Sequence, residues 1–146
     1  MGKEKITVEK YKEMRKKGEI KPFAENRKKY KIEYIGKVVG INNTYSMGWQ
    51  KRHQQLGVIK NTFALLIHNA KIPRLKYMEL RVYHNTRFDI DNLVAMIKPF
   101  VDMLRAKGVI QDDNKRFWDY LSISYDPTVK KKALLFIITG EDEGTK

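Results

Sequence analysis

Residues 77–113 read YMELRVYHNTRFDIDNLVAMIKPFVDMLRAKGVIQDD, and two different periodicities meet inside them. From Tyr77 to His84 the chain alternates, Met78, Leu80, Val82 and His84 against Tyr77, Glu79, Arg81 and Tyr83, the period of two that predicts a strand. From Leu93 the spacing changes. Leu93, Met96, Ile97, Phe100, Val101 and Leu104 follow i, i+3, i+4, i+7, i+8, i+11, the apolar stripe of an α-helix that Gly108 is placed to end. Pro99 lies inside that stripe, where its ring removes one backbone hydrogen bond at about 3 kcal/mol. Either the helix kinks there, or Pro99 opens a second helical piece. Acids sit at both reversals: Asp89 and Asp91 where strand gives way to helix, Asp112 and Asp113 after GVIQ.

The flanks extend the same pattern. Tyr30, Ile32 and Tyr34 alternate in a first strand over residues 30–41, weakened at its end by Gly36 and Gly40. A helix is predicted from Trp49 to Ala70, burying Leu56, Ile59, Phe63 and Ile67, with Pro73 closing the connection. Trp118 to Tyr125 reads as a strand with Leu121, Ile123 and Tyr125 on one face, Asp126-Pro127-Thr128 as a turn, and Ala133 to Thr139 as a strand buried on both faces. This order predicts an α+β domain in which two main helices pack a mixed sheet. Parallel pairing is expected through the helical crossovers, and the last two strands are expected to close as an antiparallel hairpin. Residues 8–17, with Thr7 as N-cap and Gly18 just beyond, predict a short helix in a basic N-terminal extension over residues 1–29. The domain proper then covers 30–140, and 141–146 form a flexible tail.

Thirty Lys and Arg residues stand against 17 Asp and Glu in the 146-residue chain, a net charge of +13. A polyanionic partner follows from that balance, and nucleic acid suits it better than anionic lipid because no strongly amphipathic basic helix stands out. The length fits one domain with a real core. There is no cysteine, which excludes disulfides and thiolate metal sites and fits a reducing cytoplasm. The opening residues lack the apolar core of a signal peptide, and the run from Ala133 to Ile138 is far too short to span a bilayer, so a cytoplasmic, membrane-free protein is expected.

In so basic a chain the acids need a reason. Residues two apart in extended chain point to one side, so Asp89 and Asp91 are expected to present two carboxylates together. The returning helix is expected to bring Asp113 beside them, with Asp112 as an extra ligand or a hydrogen-bonding partner. Hard oxygen ligands of this kind suit magnesium (Mg2+), with manganese (Mn2+) as a substitute, better than zinc. Crowded carboxylates also repel, by roughly 4 kcal/mol for two about 4 Å apart at an effective dielectric of 20. Removing the charge of Asp113 is therefore expected to leave the metal-free protein at least as stable. Any single acid is more simply read as a helix cap or a turn residue; the set argues for a metal.

Positive surface around a carboxylate-held metal points to phosphodiester chemistry, because a side-chain base contributes only about 10²- to 10⁴-fold. Arg87, Lys51, Arg52, Lys115, Arg116, Lys130, Lys131 and Lys132 are the candidates for phosphate contact, each of them alone more simply a solvated charge. Tyr45, Trp49 and Trp118 are aromatic candidates for base stacking, with a place in the core as the plainer reading. His53, His68 and His84 show no ligand spacing and receive no catalytic role.

The segments Arg87-Phe88-Asp89-Ile90-Asp91-Asn92-Leu93, Lys98-Pro99-Phe100-Val101-Asp102-Met103-Leu104 and Gly108-Val109-Ile110-Gln111-Asp112-Asp113 together resemble the RusA family of Holliday junction resolvases. That family pairs a D-x-D-N segment with a helix carrying a lysine and a later aspartate, then a G-[VIL]-[VIL]-x-D-D turn. Gly40-Ile41-Asn42-Asn43-Thr44-Tyr45 is similar, more weakly, to the family's strand-exit segment. The resemblance spans roughly residues 31 to 139. It implies a homodimer that cuts branched DNA, with Asp89, Asp91 and Asp113 matching the family's catalytic aspartates. The family lysine often lies one helical turn after the D-x-D, where this chain has Ala95. Lys98, four residues before Asp102, matches the lysine-to-aspartate spacing if about three residues are inserted, and it would then act on the scissile phosphate. A surface pair with Asp102 is the plainer reading of Lys98.

Two other classes stay open: a noncatalytic nucleic-acid-binding domain of similar fold, and a D-x-D metal-dependent nucleotidyl or glycosyl transferase. The second would want a glycine-rich phosphate loop, which the sequence lacks. The basic surface makes a direct prediction. Binding to a DNA four-way junction, measured in calcium to suppress cutting, weakens by orders of magnitude between about 50 and 200 mM salt. A flat salt response would detach the charge from DNA binding.

Overall fold

In the computed structural model the described residues are 27–38 and 48–143. The expected helix over 8–17, the Gly40 to Tyr45 segment and residues 144–146 lie outside them. The described elements run β1 (Lys28–Ile35), α1 (Trp49–Ala70), β2 (Leu75–His84), α2 (Ile90–Ala106), β3 (Trp118–Tyr125) and β4 (Ala133–Asp142). The α+β class and the mixed sheet packed by two helices are as the periodicities imply.

Sheet order is β1-β4-β2-β3, with β4 antiparallel to both of its neighbours and β2 parallel to β3. The closing hairpin expected from the last two strands does not form. β4 instead inserts between β1 and β2, while β3 lies on the far side of β2. Composition explains the exchange. The run ALLFIITG in β4 buries Leu134, Phe136 and Ile138 almost completely and takes a place where both edges are paired. β3 carries Asp119, Ser122 and Ser124, is largely exposed, and suits an edge. The crossover through α2 does give the expected parallel pair, from Leu80 opposite Leu121 to His84 opposite Tyr125.

The alternation in β2 survives intact: Met78, Leu80, Val82 and His84 are all buried. The stripe of α2 is buried at every predicted position, from Leu93 to Leu104. Helix α2 runs through Pro99 as one element, and Pro99 itself is buried. Packing on the sheet therefore offsets the hydrogen bond that its ring removes. In β1 the alternating Ile32 and Tyr34 face the core, but the strand ends at Ile35, where the Tyr34 hydroxyl donates to the Lys37 carbonyl at 2.6 Å. β1 also starts two residues before the boundary read from the sequence, and Arg27 just ahead of it pairs with Glu79 of β2 at 2.9 Å.

Four aromatic rings join the layers. Phe100 of α2 stacks on Phe136 of β4 with centroids 3.8 Å apart, and Phe63 of α1 meets both edge-on at 5.2 and 5.5 Å. Tyr34 of β1 closes the group at 4.8 Å from Phe63. At the far end of β4, Gly140 lets the strands approach. A Cβ there would lie 2.8 Å from the Tyr77 carbonyl oxygen and 2.7 Å from Leu75 Cδ1. Phe100→Ala is expected to lower stability by about 3–5 kcal/mol in urea titration, because it empties the centre of this cluster. A loss under about 1 kcal/mol would show that the core collapses around the site and that the cluster does not organise the layers.

Candidate functional site

The carboxyl ends of β2 and β3 and the start of β4 meet at one edge of the sheet. Open sheets with helical crossovers place ligands at such carboxyl ends. Asn85, just beyond β2, ties this edge together. Its backbone N–H donates to the Ala133 carbonyl at 3.2 Å, its backbone carbonyl accepts from Lys132 N–H at 2.7 Å, and its side-chain Nδ2 donates to the Val129 carbonyl at 2.8 Å. Asp126 N–H donates to the His84 carbonyl at 2.9 Å and fixes the exit of β3. The loop to α2 is held from beneath by His84. The Nδ1 of this buried ring lies 3.0 Å from the Thr86 hydroxyl oxygen, which in turn accepts from Phe88 N–H at 3.2 Å. Burial holds the imidazole below its ordinary pKa. His84, without a catalytic role, thus positions the loop through Thr86.

Asp89 is the N-cap residue of α2, yet its side chain makes no capping hydrogen bond. At the helix start Asn92 N–H donates to the Asp89 backbone carbonyl at 3.0 Å. The capping explanation thus leaves the Asp89 carboxylate without its proposed task. Asp91 in the first turn accepts from the Asn92 N–H at 2.9 Å. Both acids line a cavity of about 480 Å³ together with Thr86, Arg87 and Tyr125.

The other acids are delivered by the end of α2. Gly108 has φ of 76°, with Gly108 N–H on the Arg105 carbonyl at 3.0 Å and Val109 N–H on the Leu104 carbonyl at 2.9 Å. This is a Schellman closure, which needs a left-handed residue after the cap and explains the glycine. Val109 and Ile110 then bury, and Leu75 N–H donates to the Val109 carbonyl at 2.7 Å, so the chain turns back along the helix. Asp113 arrives on Lys98, whose Nζ lies 2.8 Å from Asp113 Oδ2 and 3.0 Å from Asp102 Oδ1. Arg105 lies 3.5 Å from Asp112 and 3.9 Å from Asp113, and Lys60 of α1 reaches Asp102 at 3.5 Å. The hydrogen bond from Lys98 holds the Asp113 carboxyl below its ordinary pKa, and those to Asp113 and Asp102 raise that of Lys98.

The expected acids therefore divide into two groups. Lys98 lies seven residues beyond Asp91, or about 10 Å along the helix axis. Among the described residues no three acidic or histidine side chains gather at metal-holding spacing. As arranged, Asp113 is paired with the Lys98 ammonium, so a cation held by Asp89 and Asp91 would compete with that lysine for the third carboxylate. The crowding expected around Asp113 is corrected by the same observation: its carboxylate is neutralised rather than repelled. Lys98 makes the i, i+4 pair with Asp102 that is its plainer reading, and it bonds Asp113 as well.

Of the basic candidates, Arg87, Lys131 and Lys132 are brought together around a cavity of about 730 Å³. Lys51 and Arg52 lie in the first turn of α1, Lys130 in the turn before β4, and Lys115 and Arg116 in the loop after Asp113. Trp49 is exposed and stacks on His53 at 5.0 Å, whereas Trp118 packs against the core. Reading the sequence missed Asn85, Thr86, Arg105 and Lys60 because their tasks depend on neighbours distant in the chain. Comparison with protein-family models finds no match, and comparison with curated proteins finds none either.

The Lys98 pair carries a pH prediction. A depressed carboxyl pKa contributes stability above the unfolded value of about 3.9, and this is lost as pH falls through the folded value. In Lys98→Met the Asp113 carboxyl, followed by ¹³C NMR, is expected to titrate at higher pH than in wild type. The pair is partly exposed, so the change in folding stability at pH 7 should stay within about 1 kcal/mol. An unmoved Asp113 titration would show that the pair does not persist in solution.

Proposed function

We propose that this protein is a structure-specific DNA endonuclease that resolves four-way junctions by paired nicks as a homodimer. The observation that carries the reading is the juxtaposition at one end of the sheet: Asp89, whose side chain makes no capping hydrogen bond, and Asp91 lie against the same groove as Arg87, with Lys131 and Lys132 in the adjoining cavity. Basic residues around acids make sense where a phosphate backbone must be drawn to a hydrolytic centre. The RusA resemblance points the same way and supplies the four-way junction as substrate.

Within this proposal Asp89 and Asp91 are the first ligands of magnesium, with manganese as substitute. Asp113, now on Lys98, would be the third ligand, with Asp112 next to it. Lys98 is the cation nearest to the acids on their own helix. Homodimerisation belongs to the proposal too, since two sites about a two-fold axis match the symmetry of a junction. The sheet face opposite the helices supports it with Ile35, which is 53% exposed, alongside half-buried Leu135 and Ile137. No helix among the described residues is long and apolar enough to cross a membrane, and cytoplasmic action on DNA is the proposed setting.

The Lys98 to Asp113 pair favours a second reading, a noncatalytic nucleic-acid-binding domain, because it neutralises the third acid. One experiment separates them. Labelled four-way junctions and linear duplexes are incubated with magnesium, with manganese and with excess EDTA. The nuclease reading expects paired nicks in the junction that need the metal, and Asp91→Asn is expected to abolish them while junction binding persists. Junction binding without nicks in either metal would establish the noncatalytic reading, and undiminished cutting in EDTA would remove the metal.

A further inference from the structure

We infer that the cleft between the loop at residues 85–88 and the turn at 131–132 seats one unpaired nucleotide of a DNA strand, with its base on the Tyr125 ring and its phosphate on Arg87, Lys131 and Lys132. This deepens the nuclease reading and rests on it for the identity of the polymer. The cleft of about 730 Å³ falls within the roughly 300–1,000 Å³ typical of sites that enclose a small molecule. It shares Thr86, Arg87, Phe88 and Tyr125 with the cavity that holds Asp89 and Asp91, so one groove runs past the aromatic ring to the acids.

Tyr125 is 59% exposed although it ends a strand on the core face of the sheet. Its ring is braced edge-to-face on buried His84, with centroids 5.7 Å apart, and so offers a fixed flat surface. Arg87, Lys131 and Lys132 are exposed and make no ion pair among the described residues, in contrast to Lys98, Arg105 and Lys60. A flat apolar ring beside three uncompensated cations matches the two halves of a nucleotide. In continuous duplex each base face is covered by its neighbour, whereas a branch point exposes one. The seat therefore selects DNA with an open base, which the phosphate contacts alone do not do.

The test uses the full chain in EDTA, so that binding is read without cutting. The probes are a single-stranded oligonucleotide and a four-way junction with 2-aminopurine at the branch point, with linear duplex as control. Wild type is expected to bind both branched and single-stranded probes with a change in 2-aminopurine fluorescence. Tyr125→Ala should lose that signal and about five- to 150-fold in affinity, the factor equivalent to about 1–3 kcal/mol of stacking per base, while Tyr125→Phe retains both. Lys132 has φ of 67°, so Lys132→Gly removes a cation while relieving backbone strain. It should weaken binding and reduce the salt slope by about one. Tyr125→Ala binding as wild type does, or Tyr125→Phe failing as the alanine does, would overturn the seat. Binding through Tyr125 by a protein that never nicks in magnesium or manganese would support the seat and overturn the nuclease reading instead.

Discussion

Phe100 lying flat on Phe136 is the contact on which the rest of the structure depends, because it docks α2 across the strand that centres the sheet. Offset or tilted aromatic pairs add to the large area they bury, and here Phe63 meets both rings edge-on. The helix cannot slide or roll without opening this cluster. Its N-terminus is thereby set at the carboxyl end of β2, where Asp89 and Asp91 enter the groove, and its exposed side presents Lys98. A proline in the middle of α2 is tolerated for the same reason: the helix is held by packing more than by its own hydrogen bonds.

The second constraint is the way α2 ends. The left-handed Gly108 and the buried pair Val109 and Ile110 reverse the chain within a few residues and return Asp112 and Asp113 to the helix. That return ends on Lys98 and Arg105, not on Asp89 and Asp91. The local electrostatics follow from this single fact. In a chain with so large a positive excess, an acid that arrives beside a helix finds an ammonium or guanidinium group more readily than another carboxylate. The Asp113 carboxylate consequently faces an ammonium group and not another carboxylate.

The sheet edge illustrates how charge is divided between structure and recognition. Lys60, Lys98 and Arg105 spend their charge on Asp102, Asp112 and Asp113. Arg87, Lys131 and Lys132 make no ion pair among the described residues, and they line one cavity because Asn85 bonds the loop after β2 to the turn before β4. Asn85 is thus the residue through which two segments more than 40 positions apart are brought to one groove.

Periodicity alone determined that residues 77–84 form a strand, that residues 93–104 carry one buried helical stripe, and that Gly108 ends it, because these features depend on the spacing of neighbours along the chain. It also determined the class, α+β with two helices on a mixed sheet. Which strand lies beside which was not legible: the hairpin suggested by adjacency gives way to a central β4, since covering the most apolar strand on both sides outweighs a short connection. The D-x-D-N segment and the D-D turn were visible as a set, but their distance from one another was not. Sequence spacing fixes the direction in which a helix returns the chain, whereas the partner its acids meet is decided by the three-dimensional balance of charge, which here gave Asp113 to Lys98.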